Sequence, residues 1–82
     1  VYSIIFSDLA LKQLNKFNKE LKTRIIAVIR RCRVRSYSYA KKIVDSPYYR
    51  LRVGDYRIVV DIKDNKLEII IIEVDHRKRI YK

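Results

Sequence analysis

The chain contains a single glycine, Gly54, which stands beside Asp55 between two runs of alternating apolar residues, "YYRLRV" and "YRIVV". A glycine–aspartate pair in that setting specifies a two-residue hairpin loop, because the favoured turns need a positive φ that glycine adopts without steric cost. Loop length then fixes register. Val53 faces Tyr56, Arg52 faces Arg57, Leu51 faces Ile58 and Arg50 faces Val59. Tyr49, Leu51, Val53, Tyr56, Ile58 and Val60 share one side of this ribbon, and Arg50, Arg52 and Arg57 share the other. Like charges directly opposite each other cost from tenths of a kcal/mol to ~1 kcal/mol. The arrangement therefore calls for an anion that relieves the repulsion, or for Asp55, Asp61 and Glu68 to neutralise it as surface ion pairs.

A second turn is expected at "KDNK", with Asp64–Asn65 at its tip. That tip pairs Ile62 with Leu67, Val60 with Ile69, Ile58 with Ile71 and Arg57 with Ile72. Four consecutive isoleucines, 69–72, mean a central strand sheltered on both faces. Ile69 and Ile71 should meet the helices, while Ile70 and Ile72 join Val59 as an apolar floor beneath the arginines. Asp61 and Glu68 fall on the arginine face. Upstream, "VYSIIF" reads as a first strand. Ser7 caps a helix over about 8–18 with Leu11, Leu14 and Phe17 at helical spacing, and Asp8 suits its first turn. Asn18 caps a second helix to about 33, whose stripe is Leu21, Ile25, Val28, Ile29 and Cys32. The expected fold is α+β in the order β-α-α-β-β-β: an antiparallel sheet of about four strands with two N-terminal helices on one face, forming a single domain over 1–82.

Charge narrows the partners. Twenty Lys/Arg against nine Asp/Glu give +11 at pH 7, which favours a polyanion. Residues 1–45 carry eleven of the basic groups and three of the acids. From Arg30 to Lys42 the chain holds Arg30, Arg31, Arg33, Arg35, Lys41 and Lys42 with Tyr37 and Tyr39 and no acid. Cations interleaved with aromatic rings suit nucleic acid, the charges taking phosphates and the rings taking bases. A solvated connection with the tyrosines tucked against the core is the plainer alternative.

Several chemistries are excluded. One cysteine rules out an internal disulfide, and one cysteine with one histidine rules out the usual Cys/His zinc site. Cys32 reads as a buried core thiol. One glycine leaves no phosphate-cradling loop. No apolar run approaches a membrane span, so a cytoplasmic protein without membrane contact is expected. Asp61 and Glu68 near three arginines are more simply ion-paired than metal-bound, so neither metal nor cofactor is expected. The tail "VDHRKRIYK" adds the only histidine, His76, with Arg77, Arg79 and Tyr81. It is expected to fold back beside Arg57, where His76 and Tyr81 are groups able to move protons.

The strand–helix–helix–three-strand order, with "YAKKI" before "YYRLRVGDYRIVVDI" and "VDHRKRIY" at the end, resembles the RelE/ParE toxin superfamily of toxin–antitoxin systems. The resemblance implies a toxin neutralised by an acidic, RelB-like antitoxin, in an assembly such as a toxin–antitoxin heterotetramer. RelE-type members act with the ribosome, cleaving messenger RNA in the A site without a metal. The RNA's own 2′-hydroxyl attacks the adjacent phosphate and leaves a 2′,3′-cyclic phosphate. By position, Arg57 matches the arginine of the family's "YR" strand motif and Arg77 the arginine after the last strand. Arg50 and Arg52 fall where bacterial members often carry lysines, and Tyr81 near a tyrosine given a proton-transfer role. An arginine does not readily lose its proton, which leaves the general base open between His76, Tyr81 and no strong base. The ParE branch shares the fold but poisons DNA gyrase and cuts nothing. A basic RNA- or ribosome-binding module is a third reading.

Overall fold

Gly54 has φ +57° and Asp55 is not among the positive-φ residues, so the positive φ falls on the first of the two turn residues, as in a type II′ loop. The computed structural model describes residues 1–76. Its elements are β1 (Ser3–Phe6), α1 (Asp8–Asn15), α2 (Lys19–Val34), α3 (Ser36–Tyr39), β2 (Lys41–Lys42), β3 (Tyr49–Val53), β4 (Tyr56–Lys63), a 3₁₀ turn (Asp64–Lys66) and β5 (Glu68–His76). They build a five-stranded sheet in the order β1-β5-β4-β3-β2. The β3–β4 register is the one the loop dictates, from Tyr49 opposite Val60 to Val53 opposite Tyr56.

The sheet differs from expectation at both edges. β1 runs parallel to β5, pairing Ser3 with Glu68 through Phe6 with Ile71, so the sheet is mixed. The fifth strand is β2, only two residues long, which pairs Lys41 with Arg50 and Lys42 with Tyr49. The stretch between α2 and β2, without clear period in sequence, holds the single turn of α3. α1 stops at Asn15, short of the expected end, because Asn18 starts the next helix by accepting from the backbone of Leu21 at 2.8 Å.

The second turn is longer than two residues. The 3₁₀ turn is followed by Leu67 at φ +51°. This moves the β4–β5 pairing two residues on from the expected register, so Ile62 faces Ile69 and Val60 faces Ile71. An even slip keeps every side chain on its expected face. Ile69 and Ile71 are fully buried beneath the helices as expected. Ile72 is then skipped in a bulge, after which Val59 faces Glu73, Ile58 faces Val74 and Arg57 faces Asp75. That extra residue reverses the alternation of β5. Glu73 and Asp75 come onto the arginine face, where Ile72 was expected opposite Arg57.

α1 stabilises the bulge. β1 ends at its pairing with Ile71, and two α1-side residues continue its work. The Ser7 hydroxyl donates to the Ile72 carbonyl at 2.6 Å while accepting from the Ala10 N–H at 3.0 Å, so it serves strand and helix cap together. The Gln13 side-chain oxygen accepts from the Val74 N–H at 2.6 Å. The core joins Ala10 and Leu14 of α1, Ile25, Ile29 and Cys32 of α2, and Leu51, Val53, Ile58, Val60, Ile69, Ile71 and Val74 of the sheet. Cys32 is completely buried, and burial pushes its thiol pKa up.

Candidate nucleic-acid interface

The helices cover one face of the sheet. The register lays side chains in cross-strand rows on the other: Arg52–Arg57–Asp75, then Lys41–Arg50–Val59–Glu73, then Asp61–Ile70–Ile5. Arg50, Arg52 and Arg57 therefore do share one surface, over a buried Val59. Among the described residues none of the three has an ion pair. Asp61, a candidate neutraliser, is instead bound to Lys63 at 3.1 Å. The Nε of Arg57 is buried with no hydrogen-bond partner among the described residues. Leaving such a donor unsatisfied costs on the order of 1–3 kcal/mol.

At the β2–β3 edge, Tyr39, Lys41, Arg50 and Arg52 line a cavity of about 150 Å³. Arg52 is also one wall of a second groove of about 360 Å³, with Arg24, Arg31 and Gly54, over the hairpin loop. A side-chain Cβ at position 54 would sit in ordinary contact, 3.4 Å from an Arg24 guanidinium nitrogen, so it is the positive φ rather than space that calls for glycine there.

The basic stretch 30–42 is divided by the helix. Arg31 faces the hairpin groove, whereas Arg30 and Arg33 line a groove of about 340 Å³ with Ile4, Phe6 and Ile26 beside β1. The Arg33 Nε donates to the Tyr2 carbonyl at 3.0 Å, a bond that ties α2 to the start of β1. Arg35 is exposed at the end of α2. Lys42 pairs with Tyr49, which places it on the face opposite Lys41.

The two tyrosines of α3 also part. The Tyr37 hydroxyl donates to Asp64 at 2.6 Å and its ring meets Tyr49 edge-on at 5.4 Å. Tyr2 donates to the other Asp64 oxygen at 2.5 Å. These bonds from Tyr2 and Tyr37 pull the Asp64 pKa down, and the Asp64 carboxylate pushes both phenols up. Tyr37 is thus a structural tie, while Tyr39 lines the cationic cavity.

His76 does not share the face of Arg50, Arg52 and Arg57. It ends β5 opposite Tyr56, with rings edge-on at 5.1 Å, and Tyr56 in turn meets Phe17 at 5.0 Å on the helix-covered side. Arg77, Arg79 and Tyr81 lie outside the described residues. Glu73 and Asp75 escaped the sequence reading because nothing in "LEIIIIEV" marks the bulge. Tyr39 and Lys41 were legible as part of the Arg30–Lys42 run of cations and rings, but their meeting with Arg50 and Arg52 depends on the β2–β3 pairing. Among the described residues no group of three or more His, Cys, Asp or Glu is placed to hold a metal, and no helix is long and apolar enough to cross a membrane.

Residues 4–81 match the family model described as the ParE toxin of the type II toxin–antitoxin system parDE. The chain belongs to the ParE toxin family. No curated protein sequence matches this toxin. Among solved structures it resembles the RelB–RelE antitoxin–toxin complex of Methanococcus jannaschii, with 31% identity over 95% of each chain and a TM-score of 0.75. The toxin–antitoxin complex RelBE2 of Mycobacterium tuberculosis superposes with a TM-score of 0.82 at 22% identity, covering 93% of the toxin and 98% of that chain. The intact E. coli RelBE complex gives 0.82 at 20% identity, covering 93% and 96%. The α+β fold of the toxin is therefore that of the RelE/ParE superfamily.

Proposed function

We propose that this toxin is an endoribonuclease that cuts ribosome-bound messenger RNA by attack of the RNA's own 2′-hydroxyl, without a metal, and so inhibits translation. The observation that carries the reading is the Arg57 guanidinium, half-buried with an unsatisfied Nε, beside Arg50 and Arg52 and without an ion pair among the described residues. Guanidinium forks suit a phosphodiester and the extra negative charge of its pentacovalent transition state. Arg57 holds the scissile phosphate with Arg77 and Arg79 from the tail, and Arg50 and Arg52 bind the RNA backbone beside it. Attack on phosphorus breaks the bond to the 5′-oxygen and closes the 2′,3′-cyclic phosphate. The proton leaving the 2′-hydroxyl needs an acceptor, and the departing 5′-oxygen needs a donor. Asp75, opposite Arg57 with one oxygen already accepting from the His76 N–H, and Glu73, in the Arg50 row, are the described carboxylates on this face that could accept that proton, and Tyr81 is the proposed donor. His76, turned to Tyr56, is the weaker candidate for either role.

Complexes with RelB-type antitoxins among the similar structures support an acidic RelB-like antitoxin as the resident partner. Charge agrees, since +11 demands an acidic cover.

A second reading is a ParE-like gyrase inhibitor that cuts nothing. The family model's own description favours it, as does the turning of His76 away from the arginines. Primer extension on messages translated with and without the toxin separates the two. Discrete stops within codons support cleavage, whereas intact message with gyrase-dependent DNA breaks supports the second reading.

A further inference from the structure

We propose that Tyr39 is a base-stacking platform and that, with Lys41, Arg50 and Arg52, it forms a subsite for one unpaired nucleotide of RNA flanking the phosphate held at Arg57. The inference rests on the RNA reading above and adds a residue and a strand preference to it. Tyr37 and Tyr39 share the one turn of α3, yet Tyr37 is committed at both its hydroxyl and its ring. Tyr39 is 44% exposed, and its hydroxyl makes no hydrogen bond among the described residues. Ala40, 5% exposed, turns inward behind it, and Tyr39 and Lys41 on either side reach the same cavity. Lys41 then faces Arg50 in register, with Arg52 next on the same face of β3. The cavity's lining offers three cations, one aromatic ring and no carboxylate.

That chemistry favours a nucleotide. An acidic protein segment would satisfy the cations and leave the ring unused, whereas a nucleotide supplies a phosphate for the guanidiniums and a π-face for the phenol. Size agrees, because a cavity of ~150 Å³ admits one aromatic ring. Every base has such a face, so the subsite discriminates by strandedness rather than sequence: a base held in a duplex stack cannot lie on Tyr39.

The test uses the purified toxin and a single-stranded RNA hexamer carrying 2-aminopurine, with 2′-O-methyl sugars to block cleavage. Binding should quench the 2-aminopurine, and a duplex of the same sequence should show no quench. Tyr39→Ala should abolish the quench and weaken binding about 5- to 150-fold, the range for loss of one stacked base. Tyr39→Phe and Tyr39→Trp should retain both. Undiminished binding and quench in Tyr39→Ala would overturn the subsite. So would displacement of the hexamer by polyglutamate with equal ease from the parent toxin and Tyr39→Ala. If the toxin binds the hexamer through Tyr39 but cuts no translated message, the cleavage reading falls and the subsite stands. If Tyr39→Ala cuts translated messages with the parent's concentration dependence, the subsite falls and cleavage stands.

Discussion

Arg57 concentrates the functional proposal in one side chain. Its partners across the sheet are Arg52 on one side and Asp75 on the other, and its Nε is buried without an acceptor among the described residues. Arg57→Ala should lower message cleavage by ~10²–10³, the usual loss for one donor to developing charge, with the circular dichroism spectrum unchanged. Full activity in that variant would remove Arg57 from the site. Asp64 is the residue whose effect is on stability. Hydrogen bonds from Tyr2 and Tyr37 lower its pKa beneath the ordinary 3.8. A lowered folded-state pKa stabilises above the unfolded value and ceases to do so as pH falls through the folded one. The melting temperature should therefore drop as pH goes below 3.8, and drop less steeply in Asp64→Asn. The phenols act in the opposite direction. Both are raised above 10.0, so their contribution is full below that value and declines as pH rises beyond it. An Asp64→Asn melting profile that parallels the parent's in acid would show the bonds to be incidental. None of this network was legible in the sequence, because Tyr2 and Asp64 lie 62 positions apart and meet only once β1 joins the sheet.

Strands and helices show which sequence signals carry structure. The Gly54 hairpin was legible to the residue, since loop length alone sets its register and alternation. The following turn resembled it locally but took a 3₁₀ form ending in Leu67 at φ +51°, a conformation that side chains other than glycine and asparagine rarely adopt. The parallel pairing of β1 was invisible because its partner lies at the far end of the chain. The bulge in β5 was equally hidden, since its support comes from α1. Gln13 supplies the acceptor for the N–H of Val74, which is 1% exposed. Gln13→Ala should destabilise the toxin by ~1–3 kcal/mol in denaturant unfolding, the cost of an unsatisfied buried donor. An unchanged unfolding midpoint would mean that the bulge stands without α1. The same variant should also reduce cleavage if the bulge places Glu73 and Asp75 for the chemistry.

At the scale of the whole molecule, the arginines of the described residues fall on separate surfaces rather than one. Arg24, Arg31 and Arg52 share the hairpin groove, which adjoins the Tyr39 cavity through Arg52, while Arg30 and Arg33 lie beside β1. The sequence 30–42 shows its charge but not how that charge divides, because neighbours on a helix face different ways. Log affinity for RNA or ribosomes should fall linearly with log salt, and removing one phosphate-binding cation should reduce the slope by about 0.7–0.9. An Arg31→Gln variant should show that reduction more than Arg30→Gln, whose side chain lies on the β1 side of α2. Equal slopes in the two variants would place the docking surface elsewhere. Attack of an RNA 2′-hydroxyl on a phosphate held on the arginine face can be read out on a translated message carrying one 2′-deoxy sugar at an established cut site. The normal message should end in 2′,3′-cyclic phosphates, with no cut at the substituted position. Cleavage through the 2′-deoxy site, or products ending in 3′-hydroxyl and 5′-phosphate, would contradict it.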